Sequence, residues 1–287
     1  MRLAYQPPYD WAAMLEFLSA RAISGLESVE AGVYRRSISL AGQQGWISVA
    51  PGAGDWLDVG VDFPDPAVLP EIERRLRRMF DLDAQPERIN ATLARDPLMA
   101  QLVAARPGLR LPGTWDGLEL AMRAVLGQQI TVVAAIRLAG KLVAQYGQPL
   151  QTPHAAITHV FPTAEVLAAA DLATLGMPRA RGRTLSGVAQ ALLDDPQLFV
   201  PQASLKESVA RWVALPGIGD WTAHYIAMRQ LREADAFAPG DIGLINALAA
   251  LEGGPVSARH LLARAEAWRP LRAYAAQHLW ASLGRRD

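Results

Sequence analysis

The segment Leu215-Pro216-Gly217-Ile218-Gly219-Asp220-Trp221-Thr222-Ala223 cannot lie inside a single helix or strand. Proline withdraws a backbone donor, and glycine accepts the positive φ that a compact reversal needs, so the segment must turn back on itself. A second helix then begins near Gly219, and its first amides lack intrahelical partners. With the turn they form a concave set of N–H donors suited to a phosphate oxygen. A bare G-x-G fits an ordinary helix-turn-helix corner equally well. The Pro239-Gly240-Asp241 segment is more specific, because it sets a lone carboxylate 22 positions beyond Gly219.

Residues 34–40, 45–49 and 56–61 alternate like strands, with glycine and proline between them. Apolar helices at about 11–21 and 66–80 flank them, which predicts an N-terminal α+β domain on an antiparallel sheet. From Thr114 onward the pattern is helical. Leu118, Met122, Val125 and Leu126 share one face, and no later stretch alternates like a strand. A bundle ending in the hairpin and its second helix is therefore expected, with a further helical part toward the C-terminus.

A hydrophobic content of 51% over 287 residues fills the cores of two or three domains. No apolar run approaches the roughly 18 residues of a membrane span, and the N-terminal stretch has no signal-peptide core. The expectation is a soluble cytoplasmic protein without a membrane partner. Zero cysteines exclude disulfides, thiolate zinc sites and cysteine-ligated iron–sulfur clusters. His154, His159, His224, His260 and His278 lack metal-ligand spacing, so no catalytic metal is expected. With a net charge of zero, binding to a polyanion must rest on local groups. Arg74, Arg75, Arg77 and Arg78 read as a solvated helix face. Arg179, Arg181 and Arg183 follow a second hairpin-like turn, Gly176-Met177-Pro178, and are better placed to meet a nucleic-acid backbone.

With the hairpin and Asp241 in place, the chain resembles the helix-hairpin-helix superfamily of DNA base-excision glycosylases. Within it the likeness is to the bacterial 3-methyladenine DNA glycosylase II group. Gln6-Pro7-Pro8-Tyr9-Asp10-Trp11, the Ala105–Gly113 stretch, Leu126-Gly127-Gln128, Phe161-Pro162-Thr163, Leu175-Gly176-Met177-Pro178 and His278-Leu279-Trp280 carry it as well. The resemblance spans nearly the whole chain. It implies an α+β domain at 1–87, a helical domain at 113–232 ending in the hairpin, and a C-terminal helical domain of 88–112 plus 233–287, with a cleft between the helical parts. It also implies a monomeric bacterial enzyme at the nucleoid. Such an enzyme flips alkylated bases out of duplex DNA and hydrolyses their N-glycosidic bond in base excision repair. The bases are 3-methyladenine and related methylated purines, with O2-alkylated pyrimidines a further class.

Asp241 precedes Ile242, Leu244, Ile245 and Leu248, the place of a helix N-cap. Capping alone would account for it, and the two roles are compatible, because the amides and dipole there favour a negative charge. By resemblance Asp241 is the catalytic carboxylate. It stabilises an oxocarbenium-like sugar or orients the attacking water. Relatives that also cut the strand carry a hairpin lysine. Trp221 stands at that position, and the only lysines are Lys141 and Lys206, so AP-lyase activity is not expected.

Trp221 and Tyr225 share one helix face. Trp280 falls off the apolar stripe of Leu271, Tyr274, Ala275 and Leu279. Electron-rich rings attract a cationic alkylated purine, and the resemblance makes Phe17, Trp221, Tyr225 and Trp280 the base pocket. Core packing is the alternative for each. DNA contacts are expected at Gly217, Ile218, Gly219, Thr222, Gln128, Gln129 and Arg179. Gln129 stands where the family has a wedging leucine, Asp220 where a basic residue is expected, and Gly240 where another acid often stands. No cofactor is needed for catalysis. The family hairpin commonly holds Na+ or K+, here through the carbonyls of Val213, Leu215 and Ile218.

Two rivals remain. A non-catalytic helix-hairpin-helix DNA-binding module explains the hairpin but gives Asp241 and the aromatics no purpose. An oxidised-guanine glycosylase with lyase activity needs the missing lysine.

Overall fold

The computed structural model of the chain describes residues 1–284. The predicted strands form β3 (Val33–Leu40), β4 (Gln43–Pro51) and β5 (Trp56–Asp62). Alternation could not reveal β1 (Arg2–Ala4) and β2 (Glu27–Glu30), which are too short to show a period and are defined by their pairing. The five form one antiparallel sheet in the order β1-β5-β4-β3-β2.

Helices α1 (Trp11–Ser19) and α2 (Leu69–Met79) cover one face of this sheet. Met14 and Leu18 from α1 and Ile72, Leu76 and Met79 from α2 enter one core with Tyr34, Ile38, Ile47, Val49 and Leu57. Burying each such side chain contributes roughly 1.5–3 kcal/mol. The four arginines of α2 are not a uniformly solvated face: Arg74 and Arg75 pair with Glu71 at 2.7 Å, whereas Arg78 is substantially buried and burial lowers its pKa to about 10.

The remaining helices are α3 (Pro86–Leu93), α4 (Pro97–Ala105), α5 (Gly117–Leu126), α6 (Val132–Tyr146), α7 (Ala164–Ala169), α8 (Arg179–Asp194), α9 (Leu205–Val213), α10 (Asp220–Arg229), α11 (Ile242–Glu252), α12 (Ala258–Ala265) and α13 (Arg272–Ser282). One correction applies to this helical region. Gln148–Pro149 pairs antiparallel with His159–Val160, a two-residue ladder beneath the reach of any sequence period.

A second core joins α5, α6, α7, α8 and α10 through Met122, Leu142, Leu167, Leu185 and Ile226. A third joins α3, α4, α11, α12 and α13 through Leu93, Met99, Leu244, Leu248, Leu261 and Leu279. α10 contributes to both, so its exposed N-terminal end lies beside the seam between them. Among the described residues no helix is long and apolar enough to cross a membrane, and no group of histidine, aspartate and glutamate is placed to hold a metal ion.

A buried ion cluster ties the sheet to the bundle. Arg36 donates to Glu119 at 2.6 Å, Arg123 donates through Nε to Glu119 at 3.0 Å, and Tyr34 donates to Glu27 at 2.6 Å. Arg123 also donates to the Arg21 carbonyl at 2.7 Å, which fixes the end of α1 against α5.

Candidate active site

The hairpin between α9 and α10 is closed by Leu215 N–H donating to Trp212 at 3.0 Å and Ile218 N–H donating to Leu215 at 3.1 Å. Gly217 has φ +85°, and a Cβ there would overlap the Thr184 side chain, so glycine is required on both counts. Gly219 is different. Its φ is −96° and a Cβ would meet nothing within 4 Å, so the fold does not demand glycine there. Among the described residues the Gly217 and Gly219 amides donate to no backbone or side-chain acceptor.

The turn after α5 is tied to this hairpin. Gln128 Nε2 donates to the Gly217 carbonyl at 3.1 Å and to Thr222 Oγ1 at 3.0 Å, and Arg181 donates to the Gln128 carbonyl at 2.6 Å. Thr222 is 2% exposed and Ile218 5%, so both side chains belong to the core. Gln129 is exposed, with φ +58°, at the tip of the turn before α6, where Val132 and Val133 are exposed as well. Arg179 is exposed at the first position of α8.

Asp241 caps α11. Its Oδ1 accepts from Leu244 N–H at 2.8 Å and from Trp280 Nε1 at 3.0 Å, and its Oδ2 accepts from Trp221 Nε1 at 2.7 Å. Three helices thereby fix one carboxylate. A carboxylate offers about four lone-pair sites, so the one left over lies on Oδ2. Gly243 leaves room for the arrangement: a Cβ there would lie 3.0 Å from Asp241 Oδ1 and 3.2 Å from the Trp280 indole.

Of the four aromatic residues, Trp221 and Trp280 reach this carboxylate through their indole N–H groups, whereas Phe17 and Tyr225 lie with Trp280 around the Arg229 guanidinium. Trp221 and Tyr225 stack with centroids 5.1 Å apart and planes 9° apart. The stripe on α13 needs correction, because Arg272 through Leu279 are all buried and the helix has no solvent face there. Trp280 is the half-buried residue at the edge of that packing.

Sequence reasoning missed two arginines. Arg229 is 2% exposed, and its Cζ lies 4.8 Å from the Phe17 centroid, 5.4 Å from Trp280 and 5.5 Å from Tyr225. Arg21 Cζ lies 4.1 Å from the Phe17 centroid. The signal was helical spacing: Trp221, Tyr225 and Arg229 run i, i+4, i+8, and Phe17 and Arg21 run i, i+4. Burial pushes Arg229 down to about 10, Tyr225 opposing the shift and Arg21 adding to it. Burial would raise the Tyr225 hydroxyl, but Arg229 and Arg21 outweigh it and lower its pKa.

Residues 1–116 match the AlkA N-terminal domain, and residues 122–273 match the HhH-GPD superfamily of base excision DNA repair proteins. The chain is 40% identical over 283 residues to the probable bifunctional transcriptional activator/DNA repair enzyme AlkA of Mycobacterium tuberculosis, covering 99% of this chain and 57% of that one. It thus spans little more than half the length of that relative. It is 36% identical over 286 residues to DNA-3-methyladenine glycosylase 2 of Escherichia coli, covering 98% and 97% of the two chains. Among solved structures, a 3-methyladenine DNA glycosylase from Archaeoglobus fulgidus matches with a TM-score of 0.87 at 22% identity, covering 98% and 97%. An 8-oxoguanine glycosylase/lyase of Clostridium acetobutylicum, in complex with double-stranded DNA, matches with a TM-score of 0.74 at 17% identity, covering 95% and 90%. These two establish likeness of fold. The chain belongs to the HhH-GPD superfamily of base excision DNA repair proteins, with an AlkA N-terminal domain ahead of the hairpin-bearing part.

Proposed function

We propose that this protein is a monofunctional DNA glycosylase that releases alkylated bases from duplex DNA, with Asp241 as its catalytic carboxylate. The observation that carries the reading is the Asp241 carboxylate, fixed by Leu244, Trp221 and Trp280 beside an aromatic cluster. The flipped nucleotide enters between the hairpin and α11. As the C1′–N bond breaks, positive charge grows on the sugar and the fixed carboxylate stabilises it without reorganising. Water then adds to C1′.

A non-catalytic module would have no use for this arrangement, and family membership supports the enzymatic reading over it. The amides of Gly217 and Gly219 and the N-terminal end of α10 would hold a backbone phosphate. Gln129, projecting beside Val132 and Val133, would fill the gap left by the flipped base. Monovalent cation binding at the hairpin fits its donor set. Val213 ends α9, where carbonyls lack intrahelical partners, and the Leu215 carbonyl already takes the Ile218 amide and keeps one lone pair. The protein acts as a monomer.

No amine supports strand cleavage: Trp221 holds the hairpin position, Lys141 donates to the Leu175 carbonyl at 3.3 Å, and Lys206 is exposed on α9. The test is incubation with duplex DNA methylated by dimethyl sulfate. The expected result is release of free 3-methyladenine with no covalent complex trapped by borohydride. A trapped complex would contradict the monofunctional reading, and no base release would contradict the enzymatic one.

A further inference from the structure

Stabilising the sugar cation through Asp241 gives Arg229 and Arg21 no task. Arg229 is buried among the pocket aromatics, where its guanidinium donates to the Pro112 carbonyl at 2.8 Å and Gln277 Oε1 at 2.9 Å. Both of those acceptors are neutral, and the arginine Nε is buried without a partner. Among the described residues no carboxylate lies within 4.0 Å of Arg229 or Arg21 to form an ion pair. Two other buried arginines do have one, Arg36 with Glu119 and Arg272 with Asp235, whereas buried Arg110 donates to backbone carbonyls outside the pocket. The aromatic cluster therefore carries two positive charges with no carboxylate partner among the described residues, the Tyr225 hydroxyl being the polar group they share.

These charges have two chemical consequences. The faces of Phe17, Tyr225 and Trp280 already serve a resident cation, so a cationic base gains less from them than a row of free aromatics would give. Charge also changes differently for different bases as the C1′–N bond breaks and its electron pair passes to the base nitrogen. A base that is cationic in DNA, such as 7-methylguanine, leaves neutral. A base that is neutral in DNA, such as hypoxanthine, leaves as an anion and then takes a proton from water. In both cases water adds to C1′ and its proton passes to solvent.

We infer that Arg229, assisted by Arg21, tunes the pocket toward bases that are neutral in DNA, by stabilising the negative charge that develops on them as they leave. The inference rests on the base-pocket reading of Phe17, Trp221, Tyr225 and Trp280. It makes Arg229 a specificity-determining residue, its charge set behind the rings of the pocket.

The test compares single-turnover rates on two duplexes, one bearing a single hypoxanthine and the other a single 7-methylguanine. The ratio of the two rates does not depend on what fraction of a variant is folded. Arg229→Met is expected to lower the hypoxanthine to 7-methylguanine ratio about tenfold, the scale of one partly screened charge in a protein interior. Arg229→Lys, which keeps the charge, should restore most of it, and Arg21→Met should lower it by a smaller factor. Should Arg229→Met fail to fold, Arg21→Met decides alone. An unchanged ratio in these variants would overturn the inference. Phe17→Ala separates the underlying reading: loss of both rates with DNA binding intact upholds the pocket, whereas two wild-type rates would sink the pocket assignment itself.

Discussion

The indole N–H of Trp221 donates to Asp241 Oδ2 at 2.7 Å, joining the first turn of the hairpin's second helix to the cap of α11. A residue expected to stack on a base is therefore also a positioning group for the carboxylate. Trp221→Phe keeps a ring and removes the donor. A hydrogen bond to a charged group is worth about 1.5–3 kcal/mol, so base release should slow by roughly 10- to 100-fold. DNA affinity should change far less. Single-turnover rates beside binding isotherms check this, and an unchanged rate would show that the bond does not orient Asp241.

The two hairpin glycines should fail in different ways. Gly217→Ala meets both a positive φ and the Thr184 side chain, so it should lower thermal stability and DNA affinity together. Gly219→Ala meets open space within the chain and should leave the melting temperature near wild type. Its added methyl would stand where a phosphate is proposed to approach, so DNA affinity should drop on its own. Equal affinity for Gly219→Ala and wild type would argue against a phosphate at that turn.

Glu119 is 1% exposed between Arg36 and Arg123. Burial works to raise its pKa, but the two arginines outweigh it and hold it below the ordinary carboxylate value. Its folded pKa is depressed, so its contribution is present above the unfolded value of about 4.3 and fades as pH falls through the lower folded value. Glu119→Gln leaves two buried cations short of a partner and should destabilise the protein by about 3–5 kcal/mol at pH 7. Urea unfolding measures this, and a loss below 1 kcal/mol would mean the cluster is dispensable.

His278 gives a second pH dependence. It is 4% exposed, and burial, with Arg106 adding to it, lowers its pKa to about 4. An unfolded histidine takes a proton near pH 6.5 whereas the folded one resists until about 4. The folded state is therefore unpenalised above 6.5 and loses about 3 kcal/mol as pH falls to 4. His278→Leu should flatten the stability profile across that window. An unaltered slope would assign the acid sensitivity to other groups.

Much of this arrangement is legible in the residues themselves. Glycine and proline chemistry announces the hairpin, alternation marks the three long strands, and the apolar run after Pro239-Gly240 marks Asp241 as a cap. β1 and β2 escape because three or four residues cannot display a period. The indole bonds to Asp241 escape because they join α10, α11 and α13, whose relative placement depends on packing around Leu244 and Leu279. The bond from Gln128 to the Thr222 hydroxyl escapes for the same reason, because it joins the turn after α5 to the start of α10. Arg229 was within reach of helical spacing, but an arginine eight positions past a tryptophan reads as solvated until its burial is seen.

Whether Asp241 performs the chemistry is decided by single-turnover base release from dimethyl-sulfate-treated duplex DNA by wild type and Asp241→Asn. Asparagine keeps an oxygen to cap α11 but removes the charge. Wild type should release 3-methyladenine. Asp241→Asn should bind the same DNA with similar affinity and release base at least about 100-fold more slowly, since a loss of about 2.7 kcal/mol of transition-state stabilisation already has that effect. Release by Asp241→Asn at the wild-type rate would contradict a catalytic role for this carboxylate.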